Sequence, residues 1–273
     1  MAILQHDGSN LPPSAGSAKA PHRRGSAPVR LLVPYSSRLS VIWPSNQRGW
    51  KASGGDLVAG VAFYLLLGRG EVSAIIIDLS DPDQALIATD TLVVNTAGQA
   101  IGTTSKAFCI PHLNLVVAGT GVAGILSSWL GCINEELSPL GIEGLNAEAP
   151  HRLKRIFESE LARWGASADL QTTTIFHVGF SECDGLLKGY QLHSGAGFVA
   201  EQLPDAIIRK PRSGPYPDGI EPISRAITLM LQQRKLQDEI SHEDGRLYIG
   251  GQIVGIQLMR NFSASMKLYD FDG

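Results

Sequence analysis

From Ser73 onward the apolar residues of this chain fall into blocks: strands first, then two helices, then strands, one helix, and strands again. Strand-like runs cover about 73–79, 85–94, 106–110 and 113–118. The spacing of Ile125, Leu126, Trp129, Leu130 and Ile133 predicts a helix over about 121–136, and Leu153, Ile156, Phe157 and Leu161 predict a second helix after Pro150. Strands return at about 172–179 and 186–193. Ile220, Ile223, Ile227, Met230 and Leu231 mark a helix over about 220–238, and two strands near 246–258 and 263–270 close the chain. A parallel sheet needs a long crossover after each strand, usually a helix, whereas successive strands turn back as hairpins. This order therefore implies an α+β fold with two packed sheets enclosed by helices, a four-layer αββα sandwich.

Residues 1–72 do not share the pattern. They are rich in Ser, Pro, Gly and Arg, show no sustained period, and read as a disordered or non-native extension ahead of a domain at 73–273. The extension carries 8 basic and 3 acidic side chains and the rest of the chain 15 and 23. An acidic body argues against nucleic acid as a partner, which needs clustered Lys and Arg. The longest apolar stretch, Leu57–Leu67, is eleven residues, too short for a membrane span of about twenty. Cys109, Cys132 and Cys183 are odd in number and widely spaced, and read as reduced core residues of a cytoplasmic protein. The histidines lack metal-ligand spacing, so neither a metal nor a cofactor is expected.

Three residues of the first strand block carry chemistry. Ser73 opens the run Ser73-Ala-Ile-Ile-Ile-Asp, Asp90 ends Ile87-Ala-Thr-Asp, and Lys106 precedes Ala-Phe-Cys-Ile-Pro. Asp81-Pro-Asp83 turns the hairpin between the first two. A hydroxyl at a strand start, a carboxylate one hairpin later and a lysine one strand further on resemble the core of the N-terminal nucleophile hydrolases. Among these the resemblance is to proteasome-type β subunits and bacterial proteasome-like peptidases. Ala88-Thr-Asp90 and Tyr248-Ile-Gly-Gly251 add to it, and it spans about 73–270.

The resemblance implies the αββα sandwich and an amide-bond hydrolase acting on a peptide or small amide. Ser73 would be both nucleophile and, through its own α-amine, general base; Asp90 the orienting carboxylate; Lys106 the cation; and Gly119 or Gly121 the oxyanion donor. An α-amine titrates near pH 8, so it can take the hydroxyl proton without a histidine. The resemblance also implies a homo-oligomer. No G-x-x-x-x-G-K-[ST] motif is present, so an ATPase partner would be a separate protein.

The mechanism requires that the active chain begin at Ser73. Residues 1–72 are then either a propeptide or sequence ahead of the true start, with Val72 encoded by GTG and read as methionine. Their basic, aperiodic character suits the second route. The sequence departs from the family pattern at several points. Val72 stands where a glycine is usual, Arg246 and Ile249 where an aspartate and a serine are usual, and Gly195-Ala-Gly197 in place of Gly-Ser-Gly. These departures keep open a catalytically silent relative with a structural or binding role, in which Asp90 and Lys106 are only an ion pair.

A rival motif is Gly119-Thr-Gly-Val-Ala-Gly124, a G-x-G-x-x-G between a strand and a helix. In a dinucleotide-binding fold Gly119, Gly121 and Gly124 would let the backbone approach a pyrophosphate. The helix leads, however, into Glu135-Glu-Leu-Ser-Pro139 and another helix rather than a second parallel strand.

Overall fold

The structure is a computed structural model, and it describes residues 73–95, 98–135, 140–164, 172–215, 219–241 and 246–272. The expectation for residues 1–72 lies outside the described residues. A hairpin of β1 (Ile75–Asp81) and β2 (Gln84–Asp90) opens the fold, its turn closed by the Asp83 N–H donating to Asp81 Oδ1 at 2.9 Å. Next come a short ribbon, β3 (Leu92–Val94) and β4 (Ala100–Thr103), then β5 (Ala107–Ile110) and β6 (Leu115–Thr120). Helices α1 (Ala123–Glu135) and α2 (Gly141–Trp164) lead to β7 (Thr174–Phe180), β8 (Leu187–His193), β9 (Ala200–Gln202) and β10 (Ile207–Lys210). Helix α3 (Pro222–Asp238) and the hairpin β11 (Gln252–Met259) and β12 (Phe262–Asp270) complete it.

The strands form two antiparallel sheets, ordered β10-β1-β2-β11-β12 and β5-β6-β7-β8-β9. Strand alternation sends Ile75, Ile77 and Leu79 of β1 to one face and Ala74 and Ile76 to the other. The first set meets Val116, Ala118, Phe176 and Val178 between the sheets. The second packs under Leu229 and Met230 of α3. On the far side of the second sheet, Leu115, Val117 and Ile175 meet Trp129 and Ile133 of α1 and Leu145 and Leu153 of α2. Three apolar layers between four structural ones make the αββα sandwich expected from the order of blocks.

The structure departs from expectation where local signals mislead. The second helix starts at Gly141, and Pro150 lies inside it rather than at its start. Ile142, Leu145 and Ala149 extend the stripe of Leu153, Phe157 and Leu161, and all are buried in one core. Burying Ile142 and Leu145 contributes about 1.5–3 kcal/mol each, enough to offset the roughly 3 kcal/mol cost of an interior proline. The run expected at 85–94 breaks after Asp90 into β2 and β3, and the last-but-one strand begins at Gln252, after Gly251 at φ +68°. Cys183 is exposed in the β7–β8 turn, so it is not a core residue, whereas Cys132 is.

Candidate active site

Antiparallel pairing brings the start of β1 beside the end of β2, and the start of β5 beside the end of β6. Ser73 precedes β1, Asp90 ends β2, Lys106 precedes β5 and Gly121 comes directly after β6. Lys106 Nζ donates to Asp90 Oδ1 at 2.8 Å across the two sheets at this end, with both side chains buried. The Ala74 N–H donates to the same oxygen at 2.9 Å. The Asp90 N–H returns a bond to the Ala74 carbonyl at 3.4 Å, so Asp90 uses its side chain in place of its own carbonyl at this rung. The peptide joining Ser73 to Ala74 is thereby fixed against the ion pair. Asp90 Oδ2 accepts from the Gly250 N–H at 3.5 Å, the outer limit of a hydrogen bond.

Burial pushes the Asp90 carboxyl up from its ordinary range, and the Lys106 ammonium and the Ala74 and Gly250 amides pull it back. Asp90 is fully buried and Ser73 is 5% exposed. Thr91, next to Asp90, and Ser105, next to Lys106, line a cleft of about 360 Å3 together with Thr103, Thr104, Gln252, Val254 and Ser265, and Ser73 is not part of its wall. Its lining offers hydroxyls and an amide and no charge.

The two glycines separate on hydrogen bonding. The Gly119 N–H already donates to the Lys106 carbonyl at 3.0 Å. Gly121, at φ +101°, lies beyond the strand, and a Cβ there would sit 2.2 Å from the Thr172 carbonyl oxygen. Among the described residues its N–H has no acceptor, so of the two only Gly121 has an amide to offer.

The dinucleotide reading does not survive the fold. β6 runs antiparallel to both neighbours, so no βαβ unit exists there. A Cβ at Gly124 would meet Glu160 Oε2 at 2.7 Å, so a carboxylate occupies the place a pyrophosphate would need. Among the described residues no three His, Cys, Asp or Glu side chains gather as a metal site. No helix among them is long and apolar enough to cross a membrane.

A second bridge between the sheets escaped the sequence: Lys210 Nζ, from the end of β10, donates to Thr174 Oγ1 at the start of β7, at 2.6 Å. Nothing local marks it, because the contact joins two sheets across 36 residues of chain.

No family model and no curated protein matches the chain. Solved structures do. Anbu (ancestral β-subunit) from Yersinia bercovieri is 13% identical with a TM-score of 0.50, over 72% of this chain and 87% of that one. The Anbu (Gly-1) mutant from Hyphomicrobium sp. strain MC1 is 11% identical with a TM-score of 0.50, over 72% of this chain and 88% of that one. At such identities the likeness is one of fold, and the chain has the proteasome-β-like αββα architecture.

Proposed function

We propose that this chain, when it begins at Ser73, is an amide-bond hydrolase of the N-terminal-nucleophile kind. The observation that carries the reading is the buried Asp90–Lys106 pair, whose shared oxygen also holds the Ala74 N–H. A carboxylate and an ammonium taken out of water are costly, and here they are positioned against the peptide that joins Ser73 to Ala74, directly ahead of β1. In this reading Ser73 Oγ attacks the carbonyl and its proton passes to the Ser73 α-amine, which then delivers it to the leaving amine. Lys106 supplies positive charge beside the nucleophile, Asp90 holds Lys106, and the Gly121 N–H meets the oxyanion. The neutral, hydroxyl-lined cleft suits a polar peptide or small amide.

A specific observation favours a second reading, a catalytically silent relative. Ile249, 5% exposed, puts an apolar side chain immediately before Gly250 and Gly251, and the position three residues earlier is Arg246. The readings separate in the full chain carrying a protease recognition sequence in place of residues 67–72, cut immediately before Ser73 after folding. A strained β-lactone, which acylates a serine hydroxyl, is then added and the adduct located by mass. The hydrolase reading expects an adduct on Ser73 after the cut only, and its loss in Lys106→Ala. No adduct on Ser73 after the cut establishes the silent reading.

A further inference from the structure

Thr120 and Gly121, consecutive residues at the end of β6, each carry a polar hydrogen that no described residue accepts. The Thr120 side chain is 4% exposed, and its Oγ1 has no hydrogen-bond partner among the described residues. The Gly121 N–H has no acceptor among them either. An unpaired hydroxyl inside a protein is costly and uncommon, so it calls for a reason.

Strand alternation settles where that hydroxyl points. Val116 and Ala118 of β6 lie between the two sheets, whereas Leu115 and Val117 lie under α1 and α2, so Thr120 returns to the inter-sheet side. Ser73 reaches the same side, because Ile75 lies between the sheets and Ala74 faces α3. In the first sheet β1 sits between β10 and β2, and in the second β6 sits between β7 and β5. Asp90 of β2 reaches Lys106 ahead of β5, and Lys210 of β10 reaches Thr174 at the start of β7. The start of β1 therefore lies over the end of β6, and Ser73 faces Thr120 across the space between the sheets. Packed sheets stand about 10 Å apart, and two hydroxyl side chains this short do not meet over that distance. One carbonyl group bridges it.

We propose that the Thr120 hydroxyl is a second oxyanion donor, so that in a chain beginning at Ser73 the Thr120 Oγ–H and the Gly121 N–H meet the same oxygen. The inference rests on the hydrolase reading above. As Ser73 Oγ bonds to the carbonyl carbon, its proton passes to the α-amine and the carbonyl π pair moves onto oxygen. Two donors one peptide apart converge on that charge. When the carbon–nitrogen bond breaks, the pair returns to restore the carbonyl and the ammonium gives its proton to the departing amine. A hydroxyl turns about its Cβ–Oγ bond and so follows the oxygen as the carbon becomes tetrahedral. Being unpaired beforehand, it has no bond to give up at the moment of reaction. Thr89 carries another unpaired buried hydroxyl of this face, as the cross-strand partner of Ile75. It stands diagonal to Ser73 on the nucleophile's own sheet, about 7–8 Å away, and does not face an oxygen held on the β6 side.

The test uses the full chain cut immediately before Ser73, and reads the rate of β-lactone acylation of Ser73 together with the urea midpoint of unfolding. Thr120→Val keeps the shape and removes the donor. It should slow acylation by at least about tenfold, towards the hundred- to thousandfold loss of a missing oxyanion donor, while the midpoint holds or rises because an unpaired buried hydroxyl is gone. Thr120→Ser should keep most of the rate. Thr89→Val should also hold or raise the midpoint, and should acylate as the wild type does. A loss under about tenfold in Thr120→Val overturns the proposal. So does a slow Thr120→Val whose midpoint falls, which makes the hydroxyl structural, or an equal slowing in Thr89→Val, which assigns the loss to repacking of the face. No acylation of the wild type removes the hydrolase reading and Thr120 with it.

Discussion

Replacing Lys106 with methionine leaves the Asp90 carboxylate buried without its cation, and the structure sets the size and the pH dependence of the cost. Asp90 then keeps only the Ala74 amide at 2.9 Å and the distant Gly250 amide. Removing one partner of a buried pair costs about 3–5 kcal/mol when the other stays charged. Burial already raises the Asp90 carboxyl, and losing its main opposing charge raises it further. For an acid whose folded pKa is raised, the charged form is the one the fold disfavours. Its penalty is absent below the unfolded value of about 3.9 and grows by about 1.4 kcal/mol per unit as pH rises to the folded pKa. Lys106→Met should therefore lose about 3–5 kcal/mol at pH 7 and far less near pH 4. Adding Asp90→Asn, which removes the charge, should recover most of that loss at pH 7. Urea unfolding at pH 4, 5, 6 and 7 on wild type, both single variants and the double variant measures this. An equal loss at pH 4 and pH 7, or no recovery in the double variant, would refute a buried charge pair at this site.

His177 supplies a second acid-sensitive element. It is fully buried, its Nε2 accepts from Trp129 Nε1–H at 2.9 Å, its Nδ1 meets Asn146 Oδ1 at 2.8 Å, and burial holds its pKa down at about 3. The unfolded chain protonates near 6.5, so the stability from neutral His177 is complete above that pH and is lost as pH falls towards 3. The loss should reach about 3 kcal/mol by pH 4.5 and be missing from His177→Gln, as read by the slope of unfolding free energy against pH. Gly121→Ala places a Cβ 2.2 Å from the Thr172 oxygen at φ +101° and should cost more than about 2 kcal/mol in the same assay; a change under about 0.5 kcal/mol would contradict the backbone placement. Sedimentation of the cut protein at micromolar concentration should show a homo-oligomer, and a clean monomer would favour action on small amides over an enclosed peptidase.

The sandwich was legible because its strands are buried in an orderly way. β1 hides both faces, so it reads as an unbroken apolar run, and Asp81-Pro-Asp83 announces its turn. The β3–β4 ribbon did not show, because three- and four-residue strands with exposed sides carry no alternation. Pro150 imitated a helix start, although the stripe through Ile142 and Leu145 outweighs it. Ser73, Asp90 and Lys106 stood out through their order along the first hairpin and the strand beyond. The choice between Gly119 and Gly121 did not, since spacing admits both and only the ladder bond from the Gly119 N–H to Lys106 separates them. The Lys210–Thr174 contact was hidden because it arises where one sheet lies over the other.

The proposed mechanism depends on the identity of the first residue. The protein purified from the cells that make it should be sequenced from its N-terminus and weighed intact. The chain should begin at Ser73, with a free α-amine beside the Asp90–Lys106 pair. A mature chain that keeps Met1, or any residue ahead of Ser73, would leave the hydroxyl without its base and contradict the proposed mechanism.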